Sequence, residues 1–127
     1  MNSDKQIRMI VLDDDKDMRA SLAAQFESEG FAVSTADDGI PALALLEQAQ
    51  YDIVLLDLQM PRMGGLALMK ELRLRSTIPN IIILTASNSL LKAVECVKLG
   101  AKSYLLKPYD PEELLAVVTK TLNPPPP

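Results

Sequence analysis

Five short apolar runs, each separated from the next by an amphipathic stretch, predict an α/β fold built on a doubly wound, five-stranded parallel sheet with five helices. Three observations carry that expectation. The runs are four to six residues long, too short for helices, while the stretches between them repeat their apolar residues at helical spacing. The central runs, DIVLLD (52–57) and IIILTA (81–86), are almost continuously apolar, as strands covered on both faces must be. Right-handed crossovers between parallel strands then put helices on both sides of the sheet.

In chain order, MIVL (9–12) reads as the first strand. The helix after it runs through DMRASLAAQFESEG (17–30), with Met18, Leu22 and Phe26 four apart and Gly30 as its stop. FAVSTA (31–36) is a second strand, DDG (37–39) a turn, and IPALALLEQAQ (40–50) a helix that tolerates Pro41 in its first turn. DIVLLD is the third strand and GLALMKELRLR (65–75) the helix beyond it. IIILTA is followed by a helix over SLLKAVECVKLG (89–100), closing on Gly100, and then by a fifth strand, SYLL (103–106). The last helix lies in DPEELLAVVTKTL (110–122), with Asp110 as N-cap, Pro111 at its first position, and Glu112 and Glu113 opposing the dipole. Residues 1–122 form one domain in this reading. NPPPP (123–127) cannot continue a helix and reads as a Pro-rich tail or the start of a linker.

Composition narrows the chemistry. With 13 Lys+Arg against 17 Asp+Glu, the net charge of -4 argues against direct binding of a nucleic-acid backbone by this segment. The chain has no histidine and a single cysteine, Cys96. That excludes Ser-His-Asp and Cys-His catalysis, imidazole-bound zinc and a disulfide framework. No signal-like or membrane-spanning apolar run is present, so a soluble cytoplasmic protein is the default expectation. Cys96, in a predicted helix, reads as inert packing, and Met60 and Met63 as gap fillers.

Ligands of doubly wound sheets bind beyond the carboxyl ends of the strands. The polar residues at the predicted strand ends are Asp13 and Asp14, Asp57, Thr85 and Lys107. Each alone has an ordinary explanation: the acids as turn or cap formers, Thr85 as a β-favouring residue, Lys107 as a solvated charge. Together they would converge on one rim. Clustered carboxylates call for a cation, and hard oxygen ligands select Mg²⁺ or Mn²⁺. A carboxylate beside such an ion can attack phosphorus, with a lysine and a threonine taking the remaining oxygens.

VLDDD (11–15), DIVLLDLQMP (52–61) followed by GG (64–65), ILTAS (83–87) and GAKSYLLKP (100–108) resemble, in order and spacing, the receiver domain of two-component response regulators. The resemblance covers residues 7–122 and implies a flavodoxin-like three-layer sandwich with strand order 2-1-3-4-5, similar to the chemotaxis regulator. It implies that Asp57 is the phosphoacceptor, charged by a histidine kinase or a histidine phosphotransfer protein. Asp13 and Asp14 would then hold Mg²⁺ with Asp57 and the backbone carbonyl of Gln59, Asp14 being the closer ligand of the pair. Lys107 would contact an acyl-phosphate oxygen, and its bond to Pro108 would be cis. Thr85 and Tyr104 would form a switch pair, the hydroxyl moving to the phosphoryl group and the ring turning inward behind it. The face over residues 88–122 would carry the signal, through a homodimer or an output domain beyond the tail, with transcription as one such output. Such a receiver phosphorylates and dephosphorylates itself and is not a turnover enzyme. Gln59 and Ser87 occupy positions that tune phosphoryl lifetime in the family, and neither is charged.

Three other readings compete. Asp13 and Asp15 form a D-x-D, as in phosphatases of the haloacid dehalogenase type, although Asp17 stands where that signature has Thr or Val. A receiver-like module that is never phosphorylated would usually lack part of this residue set. A nucleotide-binding domain would need a glycine-rich phosphate loop, which is absent. Asp15 and Asp17 are better explained as the cap and first turn of the first helix, where negative charge offsets the dipole.

Overall fold

The computed structural model describes residues 6–123 apart from 59, 61, 76 and 77. It alternates β1 (Arg8–Leu12), α1 (Lys16–Ser28), β2 (Ala32–Ala36), α2 (Gly39–Gln48), β3 (Ile53–Asp57), α3 (Gly65–Arg73), β4 (Asn80–Ala86), α4 (Leu90–Lys98), β5 (Ser103–Lys107) and α5 (Pro111–Leu122). All strand pairs are parallel, and the order is β2-β1-β3-β4-β5, as expected.

Side-chain alternation along a strand explains why the central runs are apolar throughout. Ile10, Leu12, Val54, Leu56, Ile81 and Ile83 face one side, against Ala42 of α2, Leu68, Met69 and Leu72 of α3, and Ala93 and Cys96 of α4. Met9, Val11, Ile53, Leu55, Ile82 and Leu84 face the other, against Leu22 and Phe26 of α1 and Leu114 and Val118 of α5. A polar residue anywhere in these strands would therefore be buried whichever way it pointed. Truncating one fully buried leucine of this core, such as Leu56, to alanine would cost about 2–5 kcal/mol.

The distribution of helices follows from handedness. The chain steps one way across the sheet through α1 and the other way through α2, α3 and α4, so right-handed crossovers put these on opposite faces. The direction reverses between β1 and β3, which opens a crevice at their carboxyl ends.

Element boundaries sharpen several expectations. Gly30 and Gly100 follow α1 and α4 with φ of +92° and +123°, a region an L side chain enters only with strain. DDG is more than a turn: Asp38 is the N-cap of α2 and Gly39 its first residue. The helix expected from Ser89 begins instead with a 3₁₀ turn over Ser87–Ser89, and α4 follows from Leu90. Asp110 occupies the N-cap position of α5 but makes no side-chain capping hydrogen bond. The strand SYLL extends by one residue to Lys107, and the Lys107–Pro108 bond is cis. Residues 124–127 of the Pro-rich tail lie outside the described residues.

Candidate functional site

Period-two alternation carries the charged residues to one place. Val11, Leu55 and Leu105 all face the α1/α5 side, and Asp13, Asp57 and Lys107 each come two residues later. At the rim, one oxygen each of Asp13, Asp14 and Asp57 lies within 4.8 Å of the others. Asp13 and Asp57 are buried, at 2% and 8% exposure, whereas Asp14 is exposed. Lys107 Nζ sits 3.5 Å from Asp13 Oδ2 and 3.8 Å from Asp57 Oδ1.

Two like charges 4.8 Å apart repel by about 3 kcal/mol at an effective dielectric near 20. Lys107 supplies one positive charge against three carboxylates, and the donor set is all oxygen. That chemistry fits a hard divalent cation such as Mg²⁺ or Mn²⁺.

The two members of the acidic pair are not equivalent. Asp13 Oδ1 accepts from the Asp15 N–H at 2.9 Å, while Oδ2 faces Lys107. The Asp13 backbone is held as well, its N–H donating to Ala36 O at 3.2 Å and its carbonyl accepting from Arg19 Nη1 at 2.8 Å. Asp15 caps α1, accepting from the N–H groups of Asp17 and Met18, and Asp17 lies in the first turn. The acidic triad contains Asp14 in place of Asp15, so the D-x-D of the dehalogenase reading loses its second member to helix capping.

Thr85, 1% exposed, keeps its Oγ1 buried without a hydrogen-bond partner among the described residues. It pairs with Leu106 in register, and Ile83 pairs with Tyr104, so Thr85 and Tyr104 project to the same face of the sheet. Tyr104 is 39% exposed. Gln59, whose carbonyl was expected as a ligand, lies outside the described residues. Met60 and Met63 pack partly buried against the core. Cys96 is fully buried, and burial first, then the nearby Glu95 charge, pushes its thiol up to about 11.

Three features of this rim escaped the reading of the sequence. Arg19 orders the Asp13 backbone from α1. Tyr109, two residues past Lys107, buries a hydroxyl that finds no partner among the described residues. Burial, followed by the charges of Asp13 and Asp57, pushes that phenol up to about 12. Asp38, fully buried, accepts from Arg62 Nε and from the Ile40 N–H. Only Tyr109 had a sequence signal, its place beside the rim lysine. A cavity of about 560 Å³ between Tyr51, Leu72, Arg75 and Ile78 lies at the opposite, amino-terminal edge of the sheet, away from the carboxylates.

Comparisons with known proteins agree with this geometry. Residues 9–119 match the family described as response regulator receiver domain. The chain is 36% identical over 116 residues to the regulatory protein AtoC of Escherichia coli (strain K12), covering 91% of this chain and 25% of that protein. It is 40% identical over 110 residues to the response regulator MprA of Mycobacterium sp. (strain KMS), covering 87% of this chain and 48% of the relative. It therefore spans half or less of the length of these curated relatives. Among solved structures, the chemotaxis response regulator CheY4 of Vibrio cholerae superposes with a TM-score of 0.84 at 31% identity, covering 92% of this chain and 99% of that one. A CheY-like receiver domain protein from Methanospirillum hungatei JF-1 gives 0.86 at 30% identity, covering 94% and 95%.

Proposed function

Because this chain belongs to the response regulator receiver domain family, and so is a signalling switch rather than a turnover enzyme, we propose that Asp57 is its phosphoacceptor in a two-component phosphorelay. The observation that carries the reading is the convergence of Asp13, Asp14, Asp57 and Lys107 at the carboxyl ends of β1, β3 and β5. Asp57 is the buried carboxylate at the tip of the central strand, beside the lysine and next to the sheet's switch point.

In this reading a carboxylate oxygen of Asp57 attacks the phosphorus of a phosphohistidine. The P–N bond breaks, its electron pair stays on the imidazole nitrogen, the ring leaves neutral because its other nitrogen carries the proton, and an acyl phosphate remains on Asp57. Lys107 draws toward the new phosphoryl oxygens and away from Asp13. Thr85 offers its unpartnered hydroxyl to another of them, and Tyr104 follows on the same face of the sheet. Asp14 would hold the cation directly and Asp13 less directly, since both Asp13 oxygens already have partners. Asp57 and, as the family resemblance implies, the backbone carbonyl of Gln59 would complete the set. A bound Mg²⁺ supplies charge neutralisation at the phosphoryl oxygens. Water later attacks the acyl phosphate and regenerates the carboxylate.

Receiver domains take histidine kinases as partners. The donor here is a histidine kinase or a histidine phosphotransfer protein acting in the cytoplasm, and among the described residues no helix is long and apolar enough to cross a membrane. The output passes through α4, β5 and α5, where Leu91 and Tyr104 are exposed, to a second copy or to an output domain.

Incubation with acetyl phosphate and Mg²⁺, followed by intact-mass measurement, tests the proposal. One phosphoryl adduct on wild type and none on Asp57→Asn is the expected result. Absence of the adduct on wild type, or its persistence on the variant, would overturn the assignment.

A further inference from the structure

The loop that follows Asp57 is anchored at both ends. At its base the Gly65 N–H donates to Leu58 O at 3.2 Å, closing the loop on itself. At its far side it rests on the start of α2: the Gly39 N–H donates to Met63 O at 3.0 Å, and Arg62 Nε donates to Asp38 Oδ2. The other Asp38 oxygen accepts from the Ile40 N–H at 2.8 Å and caps the helix. Arg62 Nη2 also lies 3.7 Å from Asp37. The two segments touch closely, since a Cβ on Gly39 would stand 2.7 Å from Met63 Cγ.

A fully buried carboxylate is retained only where its charge is met by hydrogen bonds and a counterion. Asp38 is 0% exposed, yet its cation comes from Arg62, an exposed side chain on another loop 24 residues away. Capping α2 requires no such partner, because the Ile40 bond suffices for that. What the pair adds is a fixed position for the loop between β3 and α3. That loop starts directly from Asp57, one of the three carboxylates whose oxygens lie within 4.8 Å of one another.

We infer that Arg62 is a positioning residue for the phosphoryl site: through Asp38 it pins the Asp57–Gly65 loop to α2 and thereby sets the affinity for the divalent cation. The inference rests on the receiver reading of Asp57, and the sign of one measurement separates it from a simple charge effect. Removing a nearby positive charge should by itself tighten binding of a cation at an acidic rim. Releasing the loop should weaken it.

Calorimetric titration with Mg²⁺ provides the test. Arg62→Met keeps the aliphatic stem and loses the donor. Its Kd for Mg²⁺ is expected to rise about three- to tenfold, the factor that corresponds to the net contribution of one ordinary hydrogen bond, since the Arg62 side chain is largely exposed. Gly39→Ala changes no charge and forces Met63 away from α2, and should raise Kd about two- to fivefold, which keeps the inference testable if Arg62→Met folds poorly. In both variants, labelling of Asp57 by acetyl phosphate should need correspondingly more Mg²⁺ for half-maximal rate while staying within about twofold of wild type at saturation. Unchanged or tighter Mg²⁺ binding in the folded variants, with wild type still labelled at Asp57, overturns the positioning role alone. A wild type that neither binds Mg²⁺ nor accepts phosphoryl overturns both readings.

Discussion

Lys107 and Asp13 are 94 residues apart in the chain, and their charged groups stand 3.5 Å apart. The lysine is roughly a quarter exposed and the aspartate almost wholly buried, so the contact is neither a solvated surface pair nor a closed internal one. It is a single cation held between two buried carboxylates, in a position to be drawn off when one of them changes charge.

Removing that cation should therefore be felt most in the cation-free protein. Lys107→Met is expected to lower stability by about 1–2 kcal/mol, less than the loss for breaking a fully buried pair because the lysine is partly solvated. Saturating Mg²⁺ should restore most of the loss. Urea unfolding with and without Mg²⁺ measures both halves, and equal losses in the two conditions would contradict a shared charge balance at the rim.

The unpartnered hydroxyl of Thr85 leads to an opposite pair of effects. Thr85→Val removes a buried polar atom that has no partner among the described residues, so stability should hold or rise by about 1 kcal/mol. The response to phosphorylation should nevertheless fail. NMR spectra should show the Tyr104 ring shifting on acetyl phosphate treatment in wild type and staying fixed in the variant.

Asp38 gives a pH dependence with a definite sign. Burial pushes its carboxyl up, but the Ile40 N–H and the Arg62 guanidinium outweigh burial and hold the carboxyl below its ordinary value of 3.8. A group with a depressed folded pKa contributes stability that is fully present above the unfolded value, near 4, and lost as pH falls through the folded value. The urea midpoint of wild type should thus fall below about pH 4 more steeply than that of Asp38→Asn. Parallel acid limbs would mean that the Arg62 pair does not hold in solution.

Cys96 should be chemically silent in the folded protein. Its thiol is fully buried and pushed up to about 11, so almost no thiolate exists at pH 8. Alkylation by iodoacetamide at that pH should be slow natively and should reach the rate of a free thiol in denaturing urea. Fast native labelling would show that α4 opens readily from the sheet.

Much of this molecule was legible in its sequence because local patterns encode it. Parallel strands buried on both faces must be apolar at every position, so IVLL in β3 and IIIL in β4 announce themselves. Helices must repeat their apolar residues every three or four positions, so Met18, Leu22 and Phe26 announce themselves as well. The rim residues were legible for a related reason: strand ends of a doubly wound sheet meet by topology, and Asp13, Asp57, Thr85 and Lys107 are where those ends fall. Local capping was equally readable, with Asp15 serving α1 as expected.

Side-chain contacts between elements and loops left no such trace. The Arg62–Asp38 pair, the Gly39–Met63 approach and the hold of Arg19 on the Asp13 carbonyl join residues whose neighbours look like ordinary turn and helix sequence. The sequence alone determined the strands, the helices, their order along the chain and the chemistry available at the rim, because periodicity and turn chemistry act over a few residues. Tertiary structure alone decided which carboxylate oxygens were already engaged, which hydroxyls lack partners among the described residues and what holds the loop after Asp57. Those are distances between segments, and they exist only once the crossovers have packed the two helical layers against the sheet.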